Sequence, residues 1–180
     1  MKTFEMRFSG AGGQGLQLCA KIFSKVFTGE GYYVSMSQSY EPTSRGGLSR
    51  ADIVASEGTA DYPLTTDLDT VLILDQAAAN SSEGIIRDDA LVIIDPRRTT
   101  KPPKGKFSVI ELPLSATAIA LGSERVTNVV ATGVIAELSQ DIKLENVETA
   151  LRAISPKKFL DLNMDALQAG VDLARGVKAA

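Results

Sequence analysis

Apolar and polar positions follow two different periods along the chain. In the first two thirds, short apolar runs typical of strands are separated by polar, glycine-rich or helical segments. A helical period predicts a helix over residues 16–27. The predicted strands cover residues 4–8, 32–36, 48–56, 71–74, 91–94 and 107–112. Strands alternating with helical or turn segments are typical of a parallel sheet.

The last third has helical periodicity only. Apolar positions at helical spacing predict helices over residues 126–138, 144–154 and 159–174, and Gly133 within the first of them indicates close packing against a neighbour. We therefore expect an α/β protein with a Rossmann-like open, mostly parallel sheet flanked by helices and a helical C-terminal third. A length of 180 residues predicts a single domain over residues 1–180.

The stretch SGAGGQG, residues 9–15, lies between the first strand and the first helix. Gly10, Gly12 and Gly15 have the GxGxxG spacing, in which glycines let a backbone turn tightly and approach a phosphate near a helix N-terminus. No acidic residue ends the second strand to hold a ribose, so ordinary NAD or FAD binding is not expected. A tight turn explains the glycines as well. The candidate binding residues are Gly10, Gly12, Gly13, Gln14 and Gly15.

A second unusual stretch, SQSYEPTSRGGLSRADI, covers residues 37–53. Arg45 beside Gly46 and Gly47 is a candidate for binding a carboxylate or phosphate, because arginine makes bidentate contacts and glycines admit a second backbone. Ser39 and Tyr40 precede it as candidate contact residues. A solvated hairpin loop is the alternative.

Composition and charge exclude several functions. A net charge of −3 without a dense lysine or arginine block does not favour nucleic acid or anionic lipid, and apolar runs are too short to span a membrane. We expect a cytoplasmic protein. The only cysteine, Cys19, is predicted to be buried, and one cysteine is too few to hold an iron–sulfur cluster. The chain has no histidine. Asp75 and Asp95 end strand-like runs and are expected to cap the turns that follow.

Several ordered motifs resemble one family over nearly the whole chain. They are GAGGQG, QSYEPTSRGGLSRADIVASE, DLDTVLILDQ, LVIIDP, RVTNVVATGVIAEL and KKFLDLNMDALQAG. Together they resemble the gamma subunit of 2-oxoacid:ferredoxin oxidoreductases. The chain departs from the usual family pattern after Tyr40, where glutamate replaces glycine and Thr-Ser precedes Arg45.

The resemblance implies a subunit of an enzyme that oxidatively decarboxylates a 2-oxoacid to acyl-CoA and reduces ferredoxin. Thiamine diphosphate, magnesium and iron–sulfur clusters are then expected in alpha, beta and delta-type partner subunits, with coenzyme A as co-substrate and no cofactor bound by this chain alone. The glycine loop would hold a phosphate of coenzyme A, pack against a partner or only form a turn. Asn128 joins the expected partner or coenzyme A contacts. The alternative is a free-standing Rossmann-like nucleotide-binding or regulatory module.

Overall fold

The computed structural model describes residues 2–41 and 47–178. Contacts divide the chain into two compact units, Met1–Leu112 and Pro113–Ala180. Within the described ranges, the first unit has six strands and one α-helix and the second has four α-helices, which agrees with the predicted α/β class and helical C-terminal third. The single domain over residues 1–180 stays a prediction.

The first unit contains an open six-stranded sheet. Its strands are β1 Thr3–Ala11, β2 Tyr33–Tyr40, β3 Leu48–Ser56, β4 Leu68–Ile73, β5 Ile86–Ile94 and β6 Val109–Glu111. They lie in the order β2-β3-β1-β4-β5-β6. Strands β1, β4, β5 and β6 are parallel neighbours, whereas β3 runs antiparallel to both β1 and β2. The residues between β2 and β3 are too few for the crossover that a parallel pair requires, so these strands form an antiparallel pair.

One helix, α1 (Leu16–Gly29), packs on one face of this sheet through its apolar side. Two aromatic pairs fix the contact with β1: the rings of Phe8 and Phe23 stack with centroids 5.6 Å apart, and those of Phe4 and Phe27 are 5.2 Å apart. Cys19 is fully buried on the same side of α1, as predicted. The two ring pairs, at the middle and near the C-terminal end of α1, hold the helix against β1.

The opposite face of β1 carries a buried ion pair. Arg7 and Asp52 lie directly opposite each other in the β1–β3 register and form two hydrogen bonds, of 2.8 and 2.7 Å. Arg7 also donates to the hydroxyls of Thr65, at 2.8 Å, and Ser82, at 3.1 Å. These bonds satisfy the buried charges and fasten the chain before β4 and before β5 onto the sheet.

The second unit consists of α2 (Leu114–Ala120), α3 (Thr127–Leu138), α4 (Leu144–Ile154) and α5 (Leu160–Lys178). The last three match the helices predicted from the sequence, whereas α2 was not predicted. Helices α3 and α5 approach closely at Gly133 and Gly170, where an added Cβ would overlap the carbonyl oxygens of Leu167 and Val130 respectively. This contact confirms the close packing expected at Gly133.

Among the described helices, none is long and apolar enough to cross a membrane.

Candidate functional site

The glycine-rich stretch forms the turn between β1 and α1. Gly10 and Ala11 still belong to β1, and Gly13 and Gly15 have φ angles of +92° and +73°, which side-chain-bearing residues rarely adopt. The N–H of Gln14 bonds to the carbonyl oxygen of Ala11 at 3.3 Å, and α1 begins at Leu16. Glycine is therefore required at positions 13 and 15 by the backbone conformation alone.

The side chain of Gln14 anchors this turn. Its Oε1 accepts from the N–H of Ala11 at 2.7 Å, and its Nε2 donates to the carbonyl oxygen of Leu74, at the end of β4, at 3.0 Å. An added Cβ on Gly10 would overlap Oε1 of Gln14. Gly10 thus leaves space for the amide that ties the turn to the neighbouring strand.

A cleft of about 320 Å³ opens beside this turn, at the N-terminus of α1. Its lining, which we call the glycine cleft, comprises Ala11, Gly13, Gln14, Gly15, Leu16, Gln17 and Ser49. None of these residues is charged. The first N–H groups of a helix have no acceptor within the helix, and they carry the positive end of its dipole. The cleft can therefore bind an anionic group through neutral donors.

The position of the glycine cleft in the sheet matches that of ligand sites in open α/β folds. It lies at the carboxyl end of β1, where the chain continues to one side towards β2 and β3 while β4 occupies the other side. A position in an open α/β sheet where the chain leaves towards one side while the neighbouring strand lies on the other is a topological switch point, and it leaves a crevice outside the carboxyl ends of the strands. Ser49, which the sequence did not single out, reaches the cleft because β3 runs antiparallel to β1 and begins at this end.

The second unusual stretch meets the glycine loop at this edge. Tyr40 is opposite Ser49, which is itself opposite Gly10, so two strand spacings, about 10 Å, separate Tyr40 from β1. The carbonyl oxygen of Gly47 accepts the N–H of Gly12 at 3.1 Å. Two motifs that are separate in the sequence are thereby brought together.

The other candidate contact residues of residues 37–53 are only partly covered by the structure. Ser39 and Tyr40 are exposed, with 73% of Tyr40 accessible to solvent. Arg45 and Gly46 lie outside the described residues. The roles of all these residues in contacting coenzyme A or a partner stay predictions.

Asn128 belongs to the second unit. It is buried in the first turn of α3, and its backbone carbonyl oxygen accepts the hydroxyl of Thr132 at 2.9 Å. Its expected contact with a partner or coenzyme A stays a prediction.

Two aspartates at the carboxyl edge of the sheet have the capping role expected of them. Oδ1 of Asp75 accepts the N–H of Ala77 at 3.0 Å, and Oδ1 of Asp95 accepts the N–H of Arg97 at 3.1 Å. Both carboxylates therefore stabilise the turns that follow β4 and β5.

The sequence interpretation missed the Arg7–Asp52 pair, although a signal was present. Arg7 is the only charge in the run MRFSGA, and Asp52 is the only charge in the run ADIVAS, both of which otherwise consist of apolar or small residues. Charges of opposite sign in two strands are a signal of a buried pair, because an isolated buried charge is too costly. Their register was not available from the sequence.

The known proteins that this chain resembles belong to one group of oxidoreductases. The model of the pyruvate ferredoxin/flavodoxin oxidoreductase family matches residues 5–173. The chain is 27% identical to the 2-oxoglutarate synthase subunit KorC of Methanocaldococcus jannaschii, covering 95% of this chain and 94% of the relative. It is 34% identical to KorC of Archaeoglobus fulgidus over 68% of this chain and 69% of the relative.

A solved structure extends the likeness to the whole fold. The crystal structure of the gamma subunit of a keto/oxoacid ferredoxin oxidoreductase from Geobacter sulfurreducens superposes with a TM-score of 0.87 at 32% identity, covering 98% of both chains. The resemblance seen in the ordered sequence motifs is thus confirmed, and the chain belongs to the pyruvate ferredoxin/flavodoxin oxidoreductase family as a protein of the gamma-subunit type.

Proposed function

We propose that this chain is the gamma subunit of a multi-subunit 2-oxoacid:ferredoxin oxidoreductase. The complex converts a 2-oxoacid and coenzyme A to acyl-CoA and carbon dioxide, and the two electrons released reduce ferredoxin. The observation that carries the proposal is the uncharged, donor-rich glycine cleft in a chain that corresponds over 98% of its length to a gamma subunit.

The chemistry is proposed to take place on partner subunits of alpha, beta and delta type. These would hold thiamine diphosphate, magnesium and the iron–sulfur clusters, and ferredoxin would bind through the complex. The composition supports this division, since the single cysteine is buried in α1 and a cluster requires several thiolates. The isolated chain is therefore expected to be inactive.

The glycine cleft is proposed to bind a phosphate of coenzyme A. Three features support the fit: the positive end of the α1 dipole, the absence of carboxylates among the described lining residues, and the N–H of Gly13, which makes no hydrogen bond within the described part of the chain. Binding would depend on backbone donors and shape. The cleft then positions coenzyme A and performs no proton transfer.

A pair of glycine variants separates phosphate binding from the other roles of the turn. Gly13 and Gly31 have nearly the same φ, +92° and +90°, and in both cases an added Cβ meets nothing within 4 Å. Valine at either position strains the backbone by about 1–3 kcal/mol. Only Gly13 lines the cleft, so Gly31→Val is a matched control for strain.

The measurement uses the complex that forms when this chain is co-expressed with its partner subunits. Phosphate binding predicts that Gly13→Val, but not Gly31→Val, raises the KM for coenzyme A and weakens its calorimetric binding, while the 2-oxoacid KM stays unchanged. Dissociation of subunits by Gly13→Val alone indicates partner packing instead. An equal fall in the melting temperature of both variants, with normal kinetics, indicates that the glycine loop serves only as a turn.

A separate experiment tests whether the chemistry takes place on the partner subunits. Purified chain supplied with thiamine diphosphate, coenzyme A and a 2-oxoacid is expected to reduce neither ferredoxin nor viologen, whereas the assembled complex reduces both. Reduction by the chain alone would contradict the proposal. Binding of a reduced nicotinamide by the isolated chain, without assembly, would favour a free-standing nucleotide-binding module.

A further inference from the structure

A second cleft lies at the other end of the β1–β3 pair. It has a volume of about 270 Å³ and is formed by the start of β1, the end of β3 and the segment of residues 57–66. We call it the acidic cleft. The residues of its lining that matter here are Glu5, Val54, Asp61, Tyr62, Leu64 and Thr66.

The two carboxylates of the acidic cleft differ in their hydrogen bonding. The Glu5 carboxylate accepts the N–H groups of Thr66 and Asp67, the latter at 2.8 Å, and so holds one wall of the cleft. Asp61 is exposed and makes no hydrogen bond or ion pair with any other residue in the described ranges. The described lining includes no lysine or arginine. A negative charge is therefore available to a cation from outside.

Large apolar side chains surround this charge. Tyr62 is 62% exposed and Leu64 is 50% exposed, both on the segment that forms the outer wall. Tyr33, 63% exposed, is opposite Ser56, which also lines the cleft. An exposed group of aromatic and aliphatic side chains beside a cavity is typical of a protein–protein contact.

We propose that the acidic cleft docks a segment of a partner subunit that carries an arginine beside an apolar side chain. A guanidinium pairs with a carboxylate through two N–H groups and stacks on a tyrosine ring, whereas an ammonium group lacks the planar fork. Asp61 and Tyr62 supply these two elements, and Leu64 supplies the apolar surface. The proposal rests on the proposed function, because it takes the partner from the same complex.

The first experiment measures how tightly the labelled chain binds the remaining subunits. Asp61→Asn removes the charge with little change in volume and is expected to raise the Kd about tenfold. Tyr62→Ser is expected to raise it at least as much, because truncated tyrosine contacts at interfaces are often the most costly. Glu83→Gln is the matched control, since Glu83 is an exposed acid of the same unit that lines neither cleft.

Salt and folding provide the internal checks. The ratio between the Kd values of the Asp61→Asn variant and the unaltered chain is expected to shrink as ionic strength rises, whereas that of Tyr62→Ser is expected to persist. The melting temperatures of the isolated variants are expected to match that of the unaltered chain, because both side chains are exposed. Unchanged Kd values for both variants in an assembling complex would overturn the docking proposal.

Photo-crosslinking identifies the occupant. A benzophenone amino acid in place of Leu64 is expected to attach to a partner-subunit peptide that contains an arginine within a few residues of the crosslink. Attachment to a second copy of this chain, or to a peptide without arginine, would overturn the proposal. If the unaltered chain joins no complex, the proposed function and the docking proposal both fail, whereas assembly with unaffected variants refutes docking alone.

Discussion

The glycine cleft and the acidic cleft lie at opposite ends of the same antiparallel strand pair, and their chemistry is opposite. At the carboxyl end of β1, the lining residues that the structure describes offer backbone donors and uncharged side chains. At its amino end, Glu5 and Asp61 make the lining negative. A backbone-donor cleft is suited to an anion, and a carboxylate-lined cleft is suited to a cation.

The Arg7–Asp52 pair lies between the two clefts along these strands. Through Thr65 it reaches the segment that precedes β4, and through Ser82 it reaches the turn before β5. The pair therefore fastens the segment that forms one wall of the acidic cleft, whereas the turn at the glycine cleft is anchored by the Gln14 amide. We expect substitutions at one end of the strand pair to leave the other end unchanged.

The largest effect is expected from Arg7→Met. The substitution leaves Asp52, which is 2% exposed, as a buried charge without its main partner, so we expect a loss of about 3–5 kcal/mol in the free energy of unfolding. Urea titration followed by circular dichroism measures the loss.

The double variant Arg7→Met/Asp52→Leu serves as control. Because removal of both charges avoids the unpaired carboxylate, the double variant is expected to be more stable than Arg7→Met alone. A double variant as unstable as the sum of the single variants would show that the pair does not act as a unit.

A smaller effect, confined to the glycine cleft, is expected from Gly10→Ala. The new Cβ overlaps Oε1 of Gln14, so the amide must move and release its bonds to Ala11 and Leu74, at a cost of about 1–3 kcal/mol. Thermal unfolding measures the change. Gly12→Ala is the control, because an added Cβ there meets nothing within 4 Å, and equal destabilisation by both variants would contradict the anchoring role of Gln14.

Glu5→Gln tests the acidic cleft by itself. The neutral amide accepts more weakly from the N–H groups of Thr66 and Asp67, and we expect a loss of about 1 kcal/mol. Hydrogen exchange of these two amides is expected to accelerate, while that of Gly12, bonded to Gly47 at the other end, stays unchanged. Faster exchange at both ends would mean that the clefts are coupled.

The smallest effect concerns pH. Burial raises the pKa of Asp69 above its usual 3.8, although the N–H of Glu5 and the charge of Arg87 oppose the shift. Between the usual pKa and this raised pKa, the folded state binds more protons, so the contribution of Asp69 to stability falls as pH rises through that window. Asp69→Asn is expected to remove this slope, with a change below about 1 kcal/mol in chemical denaturation at successive pH values. An unchanged slope would exclude Asp69 as its source.

Long elements were predictable from the sequence because their many apolar positions give a clear pattern over their whole length. The helices over residues 127–138 and 144–154 and the strand over residues 48–56 were predicted to within one residue at each end. The short helix α2 was missed because seven residues contain too few turns to display a period. The polar start of β5, with Arg87, Asp88 and Asp89, was missed because these side chains are exposed or form surface ion pairs.

The clefts were less predictable than the strands. The glycine loop was visible in the sequence because its backbone conformation requires particular residues at Gly13 and Gly15. Ser49 was not, since its place beside the loop depends on the antiparallel direction of β3. The acidic cleft was also missed, because Glu5 and Asp61 come together only through tertiary hydrogen bonds to the segment before β4.

The contact between α3 and α5 restricts which sequences this fold tolerates. The atoms that a side chain at Gly133 or Gly170 would meet are main-chain carbonyl oxygens, which have no alternative rotamer, so each substitution requires the helices to separate. Both positions are therefore restricted to glycine as long as the two helices keep this spacing. Gly29 and Gly176, where an added Cβ meets nothing within 4 Å, are free to change one at a time.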